Sequence, residues 1–279
     1  MIIDCHVHLF HDSVVSDRSE FVLRDQAFGA LYSSPQARIA SSAEIIDYID
    51  KFSIAKAVVF GFPWKDRDLY LRNNDAVLEF SQKFPDRIVP FATFGLSTSH
   101  LLHRDIEQII ESGFKGLGEL SMYETGWDYS SISALRECLI IASQSSMPVM
   151  IHVNEPVGHK YPGKIHIDFA EIAKLISDFP ETDFILAHFG GGIFFYALMP
   201  EIRDALKRTY VDTAACPFIY ESKIFEVCIS IFGEDRILFG SDYPLLGLNR
   251  YLKELDKSSL APSQKQGILG YNASKLMGL

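Results

Sequence analysis

The chain is poor in cysteine, lacks clustered basic residues and has no long apolar run. Four cysteines (Cys5, Cys138, Cys216 and Cys228) are scattered over 279 residues, with no C-x-x-C pair. That spacing excludes a disulfide framework and fits a reducing cytoplasm. Lys and Arg number 26 against 36 Asp and Glu, for a net charge of −10. An acidic chain without a basic patch is a poor partner for nucleic acid. The longest uncharged stretch, Phe184–Pro200, falls short of a membrane span and is broken by His188, three consecutive glycines and a proline. No membrane segment is therefore expected. Nor is a secretory signal, because Asp4, His6 and His8 interrupt the first apolar stretch and no basic segment precedes it. There is no G-x-x-x-x-G-K-[ST] phosphate loop and no G-x-S-x-G nucleophile turn. Repeats, low-complexity tracts and Pro/Ser-rich linkers are also missing, so residues 1–279 read as one domain.

What is present is the composition of a globular protein, 48% hydrophobic and 22% charged. Short apolar runs recur at 2–7, 56–62, 88–94, 114–120, 148–153, 183–189, 209–215 and 236–241. Segments of helical period lie between them, including Asn74–Lys83, Ile132–Ser143, Phe169–Asp178, Met199–Lys207 and Ser222–Phe232. Ser41 followed by Glu44 marks a helix start. Strands alternating with helices imply parallel βαβ units, and eight of them in this length predict an α/β fold, a (β/α)8 TIM barrel. An open doubly wound sheet would carry a glycine-rich turn after its first strand. Here that strand ends in Asp4-Cys5-His6-Val7-His8 instead. Residues 9–43 form an insertion after strand 1, with Phe10, Phe21, Phe28 and Tyr32, so it is expected to pack as a lid or as a contact between copies in a homo-oligomer.

In a strand, residues two apart share a face, so His6 and His8 project together and Asp4 is expected beside them, with Cys5 facing the other way. Two neighbouring imidazoles suit a divalent cation. Glu119, His152, His188 and Asp242 each follow several apolar residues and so end their own strands. In a (β/α)8 barrel those ends open on the face that carries active sites. Any one of these residues could be a hydrogen-bonded core group, but the same placement of all six points to a shared metal.

Asp4-Cys5-His6-Val7-His8, Ile151-His152, Ala187-His188-Phe189-Gly190-Gly191 and Gly240-Ser241-Asp242-Tyr243-Pro244 resemble the motifs of the amidohydrolase superfamily. The branch called amidohydrolase-related family 2 is the most similar. Phe84–Ala92 and the closing Asn272-Ala273-x-x-Leu276 also resemble it, whereas the insertion matches none of its patterns. The resemblance implies a barrel holding one or two divalent metals, with His6, His8, His152, His188 and Asp242 at the family's ligand positions. Glu119 looks like the glutamate that bridges two metals. Four imidazoles with hard carboxylates point to Zn2+, with Mn2+ the other candidate. The expected reaction is hydrolysis of an ester, lactone or amide, in which Asp242 moves protons and His188 binds a second metal or polarises the carbonyl. The alternative is nonoxidative decarboxylation of a small carboxylic acid, which the branch also carries out. A non-catalytic metal-binding protein is the third reading. The partner is a small-molecule substrate, expected to meet Asn154, His159, Lys160, Tyr243 and Trp64 on loops at the same face.

Overall fold

The computed structural model describes residues 1–96 and 100–279, without the side chains of residues 100 and 101. All eight apolar runs form strands: β1 Ile3–His8, β2 Lys56–Phe60, β3 Ile88–Ala92, β4 Gly116–Leu120, β5 Val149–Ile151, β6 Phe184–Leu186, β7 Thr209–Asp212 and β8 Ile237–Leu238. Each pairs in parallel with the next, in the order β1 to β8. Bonds from Cys5 N to Phe239 O (2.7 Å) and from His8 N to Tyr243 O (2.8 Å) join the last strand to the first. The fold is therefore a (β/α)8 TIM barrel, as the alternation predicts.

The helices are α1 Asp12–Ser16, α2 Arg18–Arg24, α3 Gln26–Tyr32, α4 Ser42–Lys51, α5 Arg67–Lys83, α6 His100–Glu111, α7 Tyr129–Ser143, α8 Phe169–Asp178, α9 Pro200–Ala205, α10 Cys216–Ile219, α11 Ile224–Phe232, α12 Leu248–Lys257, α13 Pro262–Gln266 and α14 Asn272–Met277. Ser41 and Glu44 form the expected reciprocal cap on α4. Helix α8 has the predicted bounds and buries Ile172, Ala173, Leu175 and Ile176 as one stripe.

The barrel interior is apolar at its closed end. Ile3, Cys5, Val58, Phe60, Val89, Phe91, Met150, Ile185 and Leu238, drawn from six of the eight strands, form one buried cluster. Here the structure corrects the expected facing of β1. The β1–β2 register shifts between Asp4 and Val7, so strict alternation fails. Cys5 lies in the interior cluster, while the Asp4 carboxylate accepts hydrogen bonds from Tyr48 Oη on α4 (2.8 Å) and from Ser241 N (2.9 Å). Beyond the irregularity, His6 and His8 both lean on the interior ring of Phe60, at centroid separations of 5.0 and 4.9 Å.

The insertion is built of α1, α2 and α3 and is anchored by an aromatic cluster. Phe28 is fully buried and packs within 4.6 Å of Trp64 and 4.8 Å of Tyr32, centroid to centroid. Phe10 and Phe62 close the same cluster. Removing the Phe28 ring leaves a cavity between α3 and the barrel. Phe28→Ala is expected to cost about 3–5 kcal/mol of stability, read by denaturant unfolding. Trypsin should then cut first at Arg18 or Arg24, because the loss is local to the insertion.

Candidate metal centre and its cavity

Four imidazoles converge at the open end of the barrel, and three of them have their orientation fixed from behind. His6 Nδ1 lies 2.8 Å from Asp212 Oδ2. His8 Nδ1 faces the carbonyl oxygen of Gly61 at 3.3 Å, and His188 Nδ1 faces that of Ala214 at 3.0 Å. A carbonyl only accepts, so in His8 and His188 the Nδ1–H donates and a neutral ring presents a lone pair at Nε2. The Asp212 carboxylate, as an acceptor, imposes the same arrangement on His6. The Nε2 atoms of His6 and His8 are 3.2 Å apart, and His188 Nε2 lies 3.2 Å from His152 Nδ1. Lone pairs facing each other at that distance require a proton or a cation between them. His152 Nε2 is also buried without a partner.

Glu119 occupies the middle. Its Oε2 lies 3.8 and 3.9 Å from the Nε2 atoms of His6 and His8, and its Oε1 lies 2.9 Å from His152 Nδ1 and 3.5 Å from His188 Nε2. Two ligand groups share it: His6, His8 and Glu119 on one side, and Glu119, His152 and His188 on the other. Asp242 Oδ1 closes the first pair at 3.2 Å from His8 Nε2 and 3.6 Å from His6 Nε2. Its side chain is 15% exposed, whereas that of Glu119 is 1% exposed. The six expected residues are thus brought together.

The electrostatics of the cluster call for added positive charge. Burial disfavours a charged imidazole, yet the carboxylates of Asp212, Glu119 and Asp242 outweigh it and push His6 up to about 10. Burial likewise opposes charge on His188, but hydrogen bonding and attraction to Glu119, with help from Asp242, raise it to about 9. Burial alone would raise Asp242; the hydrogen bond from His8 and the nearby imidazoles instead hold it down at about 2. Protons on the imidazoles do the neutralising that a divalent cation would do. The donor set, the facing lone pairs and the orphaned His152 nitrogen all fit such an ion.

Backbone shape contributes to this convergence. His188 and Asp242 both have φ of 58°, a left-handed conformation that costs a non-glycine residue about 1–3 kcal/mol. At His188 the strain is held by Asp212 Oδ1, which accepts from His188 N (2.9 Å) and Ala214 N (3.0 Å). The turn continues through Gly191, where a Cβ would sit 2.2 Å from the Asn154 carbonyl oxygen, so only glycine lets these loops meet.

A cavity of about 1070 Å³ opens above the cluster. Of the five loop residues expected to touch substrate, His159 lines it and the other four do not. Trp64 is 1% exposed and donates from Nε1 to Asn73 Oδ1 (3.1 Å), inside the aromatic cluster under the insertion. Asn154 is buried and spends its amide on Ile165 O, Glu155 O and Ile165 N, stapling its own loop. Tyr243 stacks on Tyr48 at 4.1 Å and donates to Glu44 O. Lys160 is exposed outside the cavity.

Several residues of the site escaped the sequence reading. Asp212, behind His6 and His188, ends β7 but sits in the middle of the apolar run 209–215, so the end-of-run signal passes over it. The aromatic wall formed by Tyr32, Phe62 and Tyr123, and Arg38 on the insertion, carry no motif.

No curated protein matches the chain by sequence. Solved structures match its fold. The 5-carboxyvanillate decarboxylase of Novosphingobium aromaticivorans, solved with manganese and 4-hydroxy-3-methoxy-5-nitrobenzoic acid, superposes with a TM-score of 0.79 at 18% identity, covering 100% of this chain and 96% of that one. The same enzyme of Sphingomonas paucimobilis gives 0.77 at 13% identity, covering 100% and 99%. A protein of Acinetobacter baumannii described as a probable 2-pyrone-4,6-dicarboxylic acid hydrolase, with citric acid bound, gives 0.66 at 17% identity, covering 100% and 99%. The family model described as Amidohydrolase matches residues 3–279, and the chain belongs to that family of enzymes.

Proposed function

We propose that the chain is a metal-dependent decarboxylase acting on a carboxylic acid. The observation that carries this reading is an apolar cavity ending on a cation-ready cluster whose accessible carboxylate is Asp242. The likeness to two 5-carboxyvanillate decarboxylases supports it. His6, His8, His152 and Asp242 would hold the ion, with Glu119 and His188 beside them. We favour manganese over the zinc expected from the sequence, because the Novosphingobium structure holds manganese and carboxylate donors suit it. A bound divalent cation supplies Lewis-acid attraction for a substrate carbonyl or carboxylate oxygen.

The chain's own residues do the rest. The apolar walls strip water from the substrate carboxylate, which favours its loss as neutral CO2. A proton is first added at the carbon that bears the carboxylate, which opens the conjugated system to the electron pair of the C–C bond. That bond then breaks, CO2 leaves, the pair returns to the conjugated system and the proton stays in place of CO2. Asp242 is ionised in the free site, so it takes up this proton from solvent and returns it to carbon.

A second reading, hydrolysis of an ester, lactone or amide, is favoured by Glu119. Its two oxygens face the two histidine pairs, an arrangement suited to bridging two cations. Products and metal content separate the two readings. Manganese-reconstituted protein, screened against aromatic acids and lactones, is expected to release CO2 and to hold one metal per chain. Release of an acid without CO2 would transfer the assignment to hydrolysis. So would two metals per chain that fall to one in Glu119→Gln.

The ligand and proton roles are tested apart. His6→Ala with His8→Ala should abolish bound metal in purified protein, measured by elemental analysis. Asp242→Asn retains an oxygen donor but not the base. Its kcat is expected to fall by about 10² or more with metal still bound, and normal turnover would remove Asp242 from the proton path.

A further inference from the structure

The cavity is larger than a single-ring acid needs. Its volume of about 1070 Å³ exceeds the roughly 300–1,000 Å³ of pockets that enclose drug-sized ligands. Polar groups are concentrated at its floor, in the buried cluster of His8, Glu119, His152, His188 and Asp242. Above the floor the walls are mostly apolar, with Ser34, Gln36, Arg38, Glu155 and His159 set among them. Phe195, Tyr196, Phe218 and Leu245 line the cavity and are 43%, 50%, 58% and 51% exposed, so they form its outer part. Apolar side chains gathered at one opening mark a surface that binds something apolar.

Several of the polar groups along the channel are already engaged. Glu155 accepts from Tyr161 Oη (2.9 Å) and Lys164 Nζ (2.8 Å). Arg38, the one Lys or Arg among the described lining residues, lies over the Tyr243 ring at 5.7 Å. A polar substrate body would lose its hydration here and gain few partners, whereas an apolar body would bury its whole length.

We infer that the substrate is an amphiphile: its carboxylate or carbonyl end meets the His–Glu–Asp cluster, and an extended apolar body, a long alkyl chain or linked rings, fills the aromatic channel to the opening. This rests on the reading of the cluster as the reaction centre and adds the nature of the rest of the molecule.

Calorimetric titration of the manganese-loaded protein with benzoate, 4-butylbenzoate and 4-octylbenzoate tests it. Affinity is expected to rise about fourfold for each methylene buried, until the chain reaches the opening. Phe218→Asp and Phe195→Asp, both at exposed positions, should weaken 4-octylbenzoate by tenfold or more and benzoate by much less. Affinities that stay flat along the series, or that fall with length, would overturn the inference. The same series on chelator-treated protein reads the channel without the cluster. A slope with length that persists there supports the apolar site even if no CO2 is ever released. A flat series in a protein that does release CO2 sinks the amphiphile and leaves the decarboxylase standing.

Discussion

Four imidazoles packed as two pairs, each with ring nitrogens 3.2 Å apart, need something positive between them, and the rest of the site is arranged around that requirement. The orientation of the rings is decided from behind. The carbonyls of Gly61 and Ala214 and the carboxylate of Asp212 each take an Nδ1–H, which leaves Nε2 no direction but inward. These three acceptors come from the end of β7 and from the loops that follow β2 and β7. The site therefore depends on closure of the whole ring, since a shift of β7 against β1 would move Asp212 away from His6. The left-handed backbone at His188 belongs to the same arrangement. The Asp212 oxygen that does not hold His6 holds the amide of His188. One carboxylate fixes a side chain and a strained turn together.

Position in the barrel explains why the apolar and polar layers stay separate. The interior from Ile3 to Leu238 is packed with Phe60, Phe91 and Met150, so water has no route to the cluster from below. Above it, the insertion supplies Tyr32 and Arg38 to the cavity wall, and its own core of Phe10 and Phe28 ties those residues to Phe62 and Trp64. A barrel without residues 9–43 would keep its strand ends and lose one side of the cavity. The insertion is part of the enclosure, as its aromatic content suggests.

The sequence shows the parts of this design that are periodic. Eight apolar runs and the stripe in α8 are legible because burial imposes a repeat on them. The six residues of the cluster are legible because each breaks such a run at the same end. The facing of Asp4 and Cys5 is not legible, because one irregularity in the β1 pairing reverses them and leaves no mark in the alternation. Trp64, Asn154 and Tyr243 look free in a list of loop residues. In the folded chain their polar atoms are taken by Asn73, by the Asn154 loop itself and by Glu44. Composition cannot reveal that a hydrogen bond has already been made. Asp212 ends β7, but apolar residues follow it at Ala214 and Ala215, so the alternation of residues does not mark it as a strand end.

The two carboxylates in the cluster divide by exposure, and this division bears on what the site can do. Glu119 is sealed among the four histidines. Burial pushes its pKa up, but attraction to His152 and His6 and hydrogen bonds from His152 and His188 hold it well below the usual carboxylate range. A group so enclosed and so firmly ionised is suited to fixing charge and is poorly placed to carry protons to a substrate. Asp242 is also held ionised, yet its side chain reaches the cavity. It can exchange a proton with solvent and present it to whatever lies above the cluster. In the proposed enzyme, charge balance and proton delivery would therefore fall to different residues. That separation would serve either proposed chemistry at this centre, and it places the choice between them in the number of cations that Glu119 would hold and in the molecule that the apolar channel admits.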